Sequence, residues 1–193
     1  SKMLKSESVW YEEVDRGLKQ LVKNVLGDIP VIFSPSRKDS VDNIGNPYKR
    51  PSYPYVRILH VGETFDPIRY NRQDEVVSTN SSTREATLSK SAKPYNLSYQ
   101  LEIISNKQGE CNDLTRLWNF EVIDKYNLDV LDKSGNPRNC FMTRTVATTI
   151  TEGDQYDDKI FRNIYKYKIR VELDEQITYK VPMVTNVNLQ FDK

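Results

Sequence analysis

Residues 161–173, FRNIYKYKIRVEL, split into two faces when every second residue is read. One face carries Phe161, Tyr165, Tyr167, Ile169, Val171 and Leu173, and the other Arg162, Lys166, Lys168 and Arg170. A period of two over this length is the signature of a β-strand and does not fit a helical stripe. At ~3.3 Å per residue the segment would run roughly 43 Å, where an ordinary strand has about five or six residues. A chain holding such a strand must also supply long partners for it, so its fold is organised around a sheet. In the plain reading the strand is bent or bulged, with a solvated outer face. In the sharper reading its hairpin reaches a neighbouring subunit. Lys166, Lys168 and Arg170 then either guard a long edge against unwanted pairing or face an acidic partner.

The remaining segments supply partners and helices. Residues 8–26 place Trp10, Val14, Leu18, Leu21 and Val25 on one stripe, which predicts an amphipathic helix capped by Ser8 and ended by Gly27. IPVIF (29–33) and YVRILHVGETF (55–65) are expected strands, separated by a Pro/Gly/Ser-rich loop over 34–54. Residues 66–94 are polar and of low complexity, and predict an arm outside the core. YNLSYQLEI (95–103) alternates cleanly, with Tyr95, Leu97, Tyr99, Leu101 and Ile103 on one face.

A helix capped by Asn112 or Asp113 should then run to about Tyr126, with Leu114, Leu117, Trp118, Phe120 and Ile123 as a broad apolar side. After a turn at 132–139, the Thr-rich run 140–150 is strand-like. An acidic turn, 152–159, leads into the long strand. A last strand follows, with Tyr179, Val181, Met183, Val187, Leu189 and Phe191 on one parity. Pro182 makes that strand an edge, or bulged there.

The expected class is α+β: a mixed or mainly antiparallel sheet, helices packed on one face, a long C-terminal β-hairpin and an extended polar arm. The expected organisation is one domain over 1–193, with the arm inserted at 66–94 and the long loop at 34–54.

Composition argues against several functional classes. The formal net charge is +1, with 28% charged and 37% hydrophobic residues, so any electrostatic attraction must come from local faces. No run approaches the ~18 apolar residues of a membrane span, and a soluble protein is expected. Cys111 and Cys140 are too few for a disulfide scaffold and match no metal spacing.

His60, the only histidine, sits mid-strand and is expected to be structural; a Ser–His–Asp triad would have to use it. Asp124, Asp129 and Asp132 could in principle do acid–base work, although solvation of a helix end explains them as well. The basic-aromatic run 50–58, RPSYPYVRI, could stack on single-stranded nucleic acid, and equally forms a packed strand entry. No phosphate loop or HExxH is present, and neither an enzyme nor a cofactor nor a metal is expected.

Three stretches together carry a resemblance. YNLSYQLEIIS (95–105) leads into CNDLTRLWNFEVIDKY, and a later strand reads RNIYKYKIRVEL. This order of strand, helix and basic-aromatic strand, with the N-terminal helix and the polar arm, resembles the tail terminator and neck proteins of contractile-tailed bacteriophages. The resemblance implies an α+β subunit of a hexameric ring that caps the tail tube and sheath and docks the tail to neck and head-completion proteins. It also implies a place in the virion, with assembly in the host cytoplasm, and no catalytic site; the near-neutral charge and the lack of a long apolar run give no expectation of a membrane partner or of specific nucleic-acid binding. A baseplate or tube-initiation component is the neighbouring alternative, and a nucleic-acid-binding module is the alternative from another class. The resemblance transfers no binding residue. The interface candidates come from the physical reading: Arg162, Tyr165, Lys166, Tyr167, Lys168 and Arg170 on the long strand, and Arg50, Tyr53, Tyr55 and Arg57 at the strand entry, beside the 34–54 loop and the 66–94 arm.

Overall fold

In the computed structural model the described residues are 8–33, 51–153 and 159–184. They form an α+β fold. The order is α1 (Tyr11–Leu26), β1 (Val31–Phe33), β2 (Tyr55–Phe65), β3 (Glu75–Asn80), β4 (Glu85–Ser89), β5 (Lys93–Ser105), α2 (Gln108–Glu121), β6 (Lys125–Leu131), β7 (Pro137–Glu152), β8 (Ile160–Leu173) and β9 (Thr178–Pro182). Six strands make one sheet in the order β1-β2-β5-β8-β7-β6, and three make a second, β3-β4-β9. The large sheet is mixed, because β1 runs parallel to β2 while every other pair is antiparallel.

The alternation expected for 161–173 is realised in β8. Tyr165, Tyr167, Ile169 and Val171 are buried, and Lys166, Lys168 and Arg170 are exposed. Its partners are long as well: β5 pairs with it from Lys93↔Leu173 to Ser105↔Phe161, and β7 forms the other arm of a long hairpin with it. β8 is therefore an interior strand. Lys166 and Lys168 have no edge to guard, because both sides of their backbone are already paired, while Arg170 is paired with β5 and lies just past the end of the β7 ladder.

Both helices lie on the face that carries Leu97, Tyr99, Leu101 and Ile103 of β5 and Tyr165, Tyr167 and Ile169 of β8. Val14, Leu18, Leu21, Val22 and Leu26 of α1 and Leu114, Trp118 and Val122 at α2 complete that core. Gly17 lets α1 come close to β6; a Cβ there would sit 2.9 Å from the Asp129 carbonyl oxygen. The α1 start differs from expectation. Trp10 occupies the cap position and its N–H donates to the Glu13 carboxylate (3.0 Å). Ser8 instead ties α1 to the other end of the chain: its hydroxyl accepts the Asp174 N–H (2.7 Å) and donates to Glu175 (2.9 Å). Gly27 ends the helix at φ +84°, a conformation that favours glycine.

The second helix corrects the expected boundaries and the expected face. α2 begins at Gln108, because the Ser105 hydroxyl accepts the Lys107 N–H (3.1 Å) and opens the turn before Asn112 is reached. Only Cys111, Leu114 and Trp118 of the helix are buried, whereas Leu117, Phe120 and Ile123 stand 50, 80 and 59% exposed. Phe120 lies two residues beyond Trp118, about 200° around the helix, and so points away from the core.

The 66–94 arm contains the β3–β4 hairpin, which the β9 edge strand joins, with β9 ending at Pro182 as the missing donor there requires. The expected apolar parity beyond Val184 and the 34–50 part of the long loop lie outside the described residues.

Candidate assembly surfaces

The strand-entry candidates are placed largely by a buried carboxylate. Glu102 of β5 is 1% exposed and pairs in register with Arg57 of β2. The Arg57 Nε donates to Glu102 Oε2, and Arg162 Nη1 lies 3.5 Å from Oε1 and 3.4 Å from Glu152. A buried carboxylate needs such partners, since leaving it unpaired costs several kcal/mol. Arg57 and Arg162 thus serve this pairing in the folded chain.

Tyr55 is 7% exposed, and its ring stacks on Tyr53 at 5.6 Å between centroids. The run from Pro51 to Ile58 is a packed strand entry, one of the two roles open to it in the sequence. Arg50 lies outside the described residues. Tyr165 and Tyr167 are both 2% exposed beneath α2, where the Trp118 indole N–H donates to the Tyr167 hydroxyl (2.8 Å). They offer no surface and anchor the strand instead. Arg170 stacks over the Phe141 ring at 4.9 Å. Lys166 and Lys168 have no ion-pair partner among the described residues and remain as the open basic pair of the outer face.

His60 sits in β2 just before a bulge, between α1 and β5. Its Nε2 is 2.7 Å from Asp15 Oδ1, its ring stacks on Tyr11 at 4.1 Å, and Tyr99 donates to the same Asp15 oxygen (2.7 Å). Burial, and then the neighbouring Asp15 carboxylate, hold the Tyr99 hydroxyl far above its ordinary pKa; burial and Glu63 do the same for Tyr11. These neutral phenols act as hydrogen-bond donors that fasten α1 to the sheet. The three aspartates expected near one another have separate tasks. The Asp124 carbonyl accepts the Arg144 N–H (2.8 Å), Asp129 is exposed, and Asp132 accepts the turn N–H groups of Ser134 and Asn136 (both 2.9 Å). The two thiols are buried, and burial pushes Cys140 up to about 11.

Two surfaces were not legible in the sequence. The first is the exposed side of α2, carrying Leu117, Phe120 and Ile123. The second is the upper half of β7. β6 pairs with β7 only from Pro137 to Thr143, whereas β8 continues along it to Glu152. Beyond Arg144 the second edge of β7 has no partner strand among the described residues. Between this edge and α2 runs a groove of about 340 Å³, lined by Thr115, Asn119, Arg144, Ala147, Asn163 and Tyr165, among others. The signal available in sequence was the Thr-rich, uncharged character of 145–151, which has no lysine or proline to block an edge. The small sheet adds β3 and β9 as further edges; there the Tyr179 hydroxyl donates to Asp74, which raises the phenol's pKa and lowers the carboxyl's.

No helix among the described residues is long and apolar enough to cross a membrane. No family model matches the chain, and no curated protein does. Among solved structures the chain is similar to the sheath/tube terminator of PVC, an extracellular contractile injection system, in its extended state. The superposition has a TM-score of 0.49 at 12% identity and covers 96% of this chain and 64% of that one.

Proposed function

We propose that the chain is a structural subunit of a contractile tail: one of a ring, six copies around, at the head-proximal end, which terminates tube and sheath and joins the tail to the neck. The observation that carries this reading is that the three stretches behind the family resemblance pack as one unit. β5 and β8 are neighbours throughout their length, and α2 is pinned on them by the Trp118–Tyr167 hydrogen bond. Around this unit the molecule presents what an assembly subunit needs: a strand edge with no partner among the described residues, an exposed apolar helix side and an open Lys166/Lys168 face. Arg57 and Arg162 are engaged with Glu102, which weakens the case for a nucleic-acid groove at the strand entry. The subunit belongs to the virion and assembles in the host cytoplasm.

The test is a tube-capping assay. Purified protein is added to elongating tail tubes, and tube lengths are measured by negative-stain microscopy. Elongation should stop on addition, with density at one tube end. Unchanged elongation with bare ends, together with salt-sensitive binding to single-stranded DNA or RNA, would replace this reading with the nucleic-acid module.

A further inference from the structure

We propose that the half of β7 beyond Arg144 pairs with β3 of a second copy of the chain, edge to edge and running parallel. This deepens the ring reading by naming the joint between neighbouring subunits, and it rests on that reading for the second copy.

The strand edges of the two sheets are not alike. β1 is three residues long. The part of β2 beyond β1 carries His60 and Glu63, β6 carries Lys125 and Asp129, and β9 carries Lys180 and Pro182. Short length, charge and proline all keep an edge from being paired. Two edges lack these guards: 145–151 of β7 and 76–80 of β3 hold neither charge nor proline. Among the described residues, β7 has only β8 as a partner strand there, and β3 has only β4. The two lie in different sheets and do not pair with each other within one copy. A joint between them therefore links two copies, and it gains a row of backbone hydrogen bonds, as strand addition does.

Their faces match. In β7, Val146 and Ile150 stand on the outer face, 40 and 37% exposed, while Ala147 and Thr149 line the groove beside α2. In β3, Val77 is the extra residue of a bulge, because Val76 pairs with Leu88 and Ser78 with Thr87. Val76, 56% exposed, and Thr79 thus share one face, and Glu75, Ser78 and Asn80 share the other. With Val76 beside Val146, the apolar faces become continuous and the polar face of β3 meets the groove. That groove wants polar partners. Asn163 Oδ1, on a residue 5% exposed, and Arg144 Nε are buried with no hydrogen-bond partner among the described residues, and buried polar groups are usually satisfied.

Charge sets the direction. Running parallel, β3 brings Glu75 to the Arg144 end of the edge, near Lys166, which pairs with Val146. Running antiparallel, it brings Glu75 to the Glu152 end, and like charges side by side are destabilising. The β3 surface of one copy meets the β7 surface of the next. Such a contact is head-to-tail, the kind that closes into a ring when the rotation permits.

The test is disulfide trapping in the full chain, alone and with tail tubes. Neighbouring strands lie about 5 Å apart, within reach of a disulfide, and Cys111 and Cys140 are buried. Val76→Cys and Val146→Cys in one chain should give, under mild oxidation, a ladder of linked subunits on a denaturing gel that ends at about six. Val76→Cys with Ile150→Cys should link at least about tenfold less, since ~13 Å of strand separates the two β7 positions; equal yields would overturn the register. Glu75→Lys added to the first pair should lower the yield at least about threefold, with far-ultraviolet circular dichroism unchanged because Glu75 is exposed. An unchanged yield there would overturn the parallel direction. Linked chains of every length, with no end to the ladder, would keep this joint and end the ring reading. No linkage while the parent chain assembles at about six subunits would overturn this joint and leave the ring reading standing. No linkage and no assembly would end both.

Discussion

The large sheet and the two helices packed on it hold nearly every buried apolar side chain, among them Leu18, Leu97, Tyr99, Leu101, Trp118, Met142, Tyr167 and Ile169, whereas the three strands of the small sheet bury only Ala86. β5, β8 and β7 are joined along most of their length and covered by two helices. β3, β4 and β9 are joined by backbone pairing with exposed side chains on most positions. Burial of apolar surface is the main source of folding free energy, so the large sheet sets the global stability. The small sheet should open at lower cost, as weakly packed regions do. A stiff body with a soft, polar appendage suits a protein whose edges and loops order against partners.

The comparison breaks most sharply at α2. Trp118→Ala removes a fully buried ring and strands the Tyr167 hydroxyl; urea unfolding should show a loss of ~3–5 kcal/mol. Next is Glu102→Gln, which takes the carboxylate away from Arg57 and Arg162. A loss of about 2–3 kcal/mol in the same measurement is expected, because Arg57 keeps some access to water. Gly17→Ala pushes a methyl group against the Asp129 carbonyl and Val130; it should cost ~1–2 kcal/mol through overpacking between α1 and β6. The smallest effect belongs to the small sheet. Leu88→Ala should shift the global midpoint by less than about 1 kcal/mol, while amide exchange over β3, β4 and β9 speeds up and that over β5 and β8 does not. Equal exchange rates in both sheets would show that they unfold as one unit.

The same contrast governs how much of the molecule could be read from its sequence. Strands of the large sheet announce themselves, because burial on one face imposes alternation: β2 matches its expected bounds, and β5 and β8 show the expected faces. β3 and β4 do not, since strands with no buried face carry no such imprint, and Val-Val-Ser-Thr-Asn reads as loop. α2 was legible as a helix but not in phase. Asn112 and Asp113 look like caps, yet Ser105 starts the turn, and Leu117, Phe120 and Ile123 look like core residues although only Cys111, Leu114 and Trp118 of the helix are buried.

Of the candidate residues, Lys166, Lys168 and Arg170 face outward as expected. Arg57 and Arg162 look like surface cations in the sequence, because their shared partner, Glu102, is visible only once β2, β5 and β8 are known to be adjacent. The half of β7 with no second partner strand among the described residues is hidden for the same reason. An edge is a property of which strands pair, and local sequence does not state it.

The most direct test of an assembly role is the absolute mass of the full chain over a concentration series, by light scattering, alone and with tail tubes. The account predicts a discrete species of about six subunits, in free solution or on tube ends, as a closed ring requires. A chain that stays monomeric at every concentration and leaves tubes bare would contradict it.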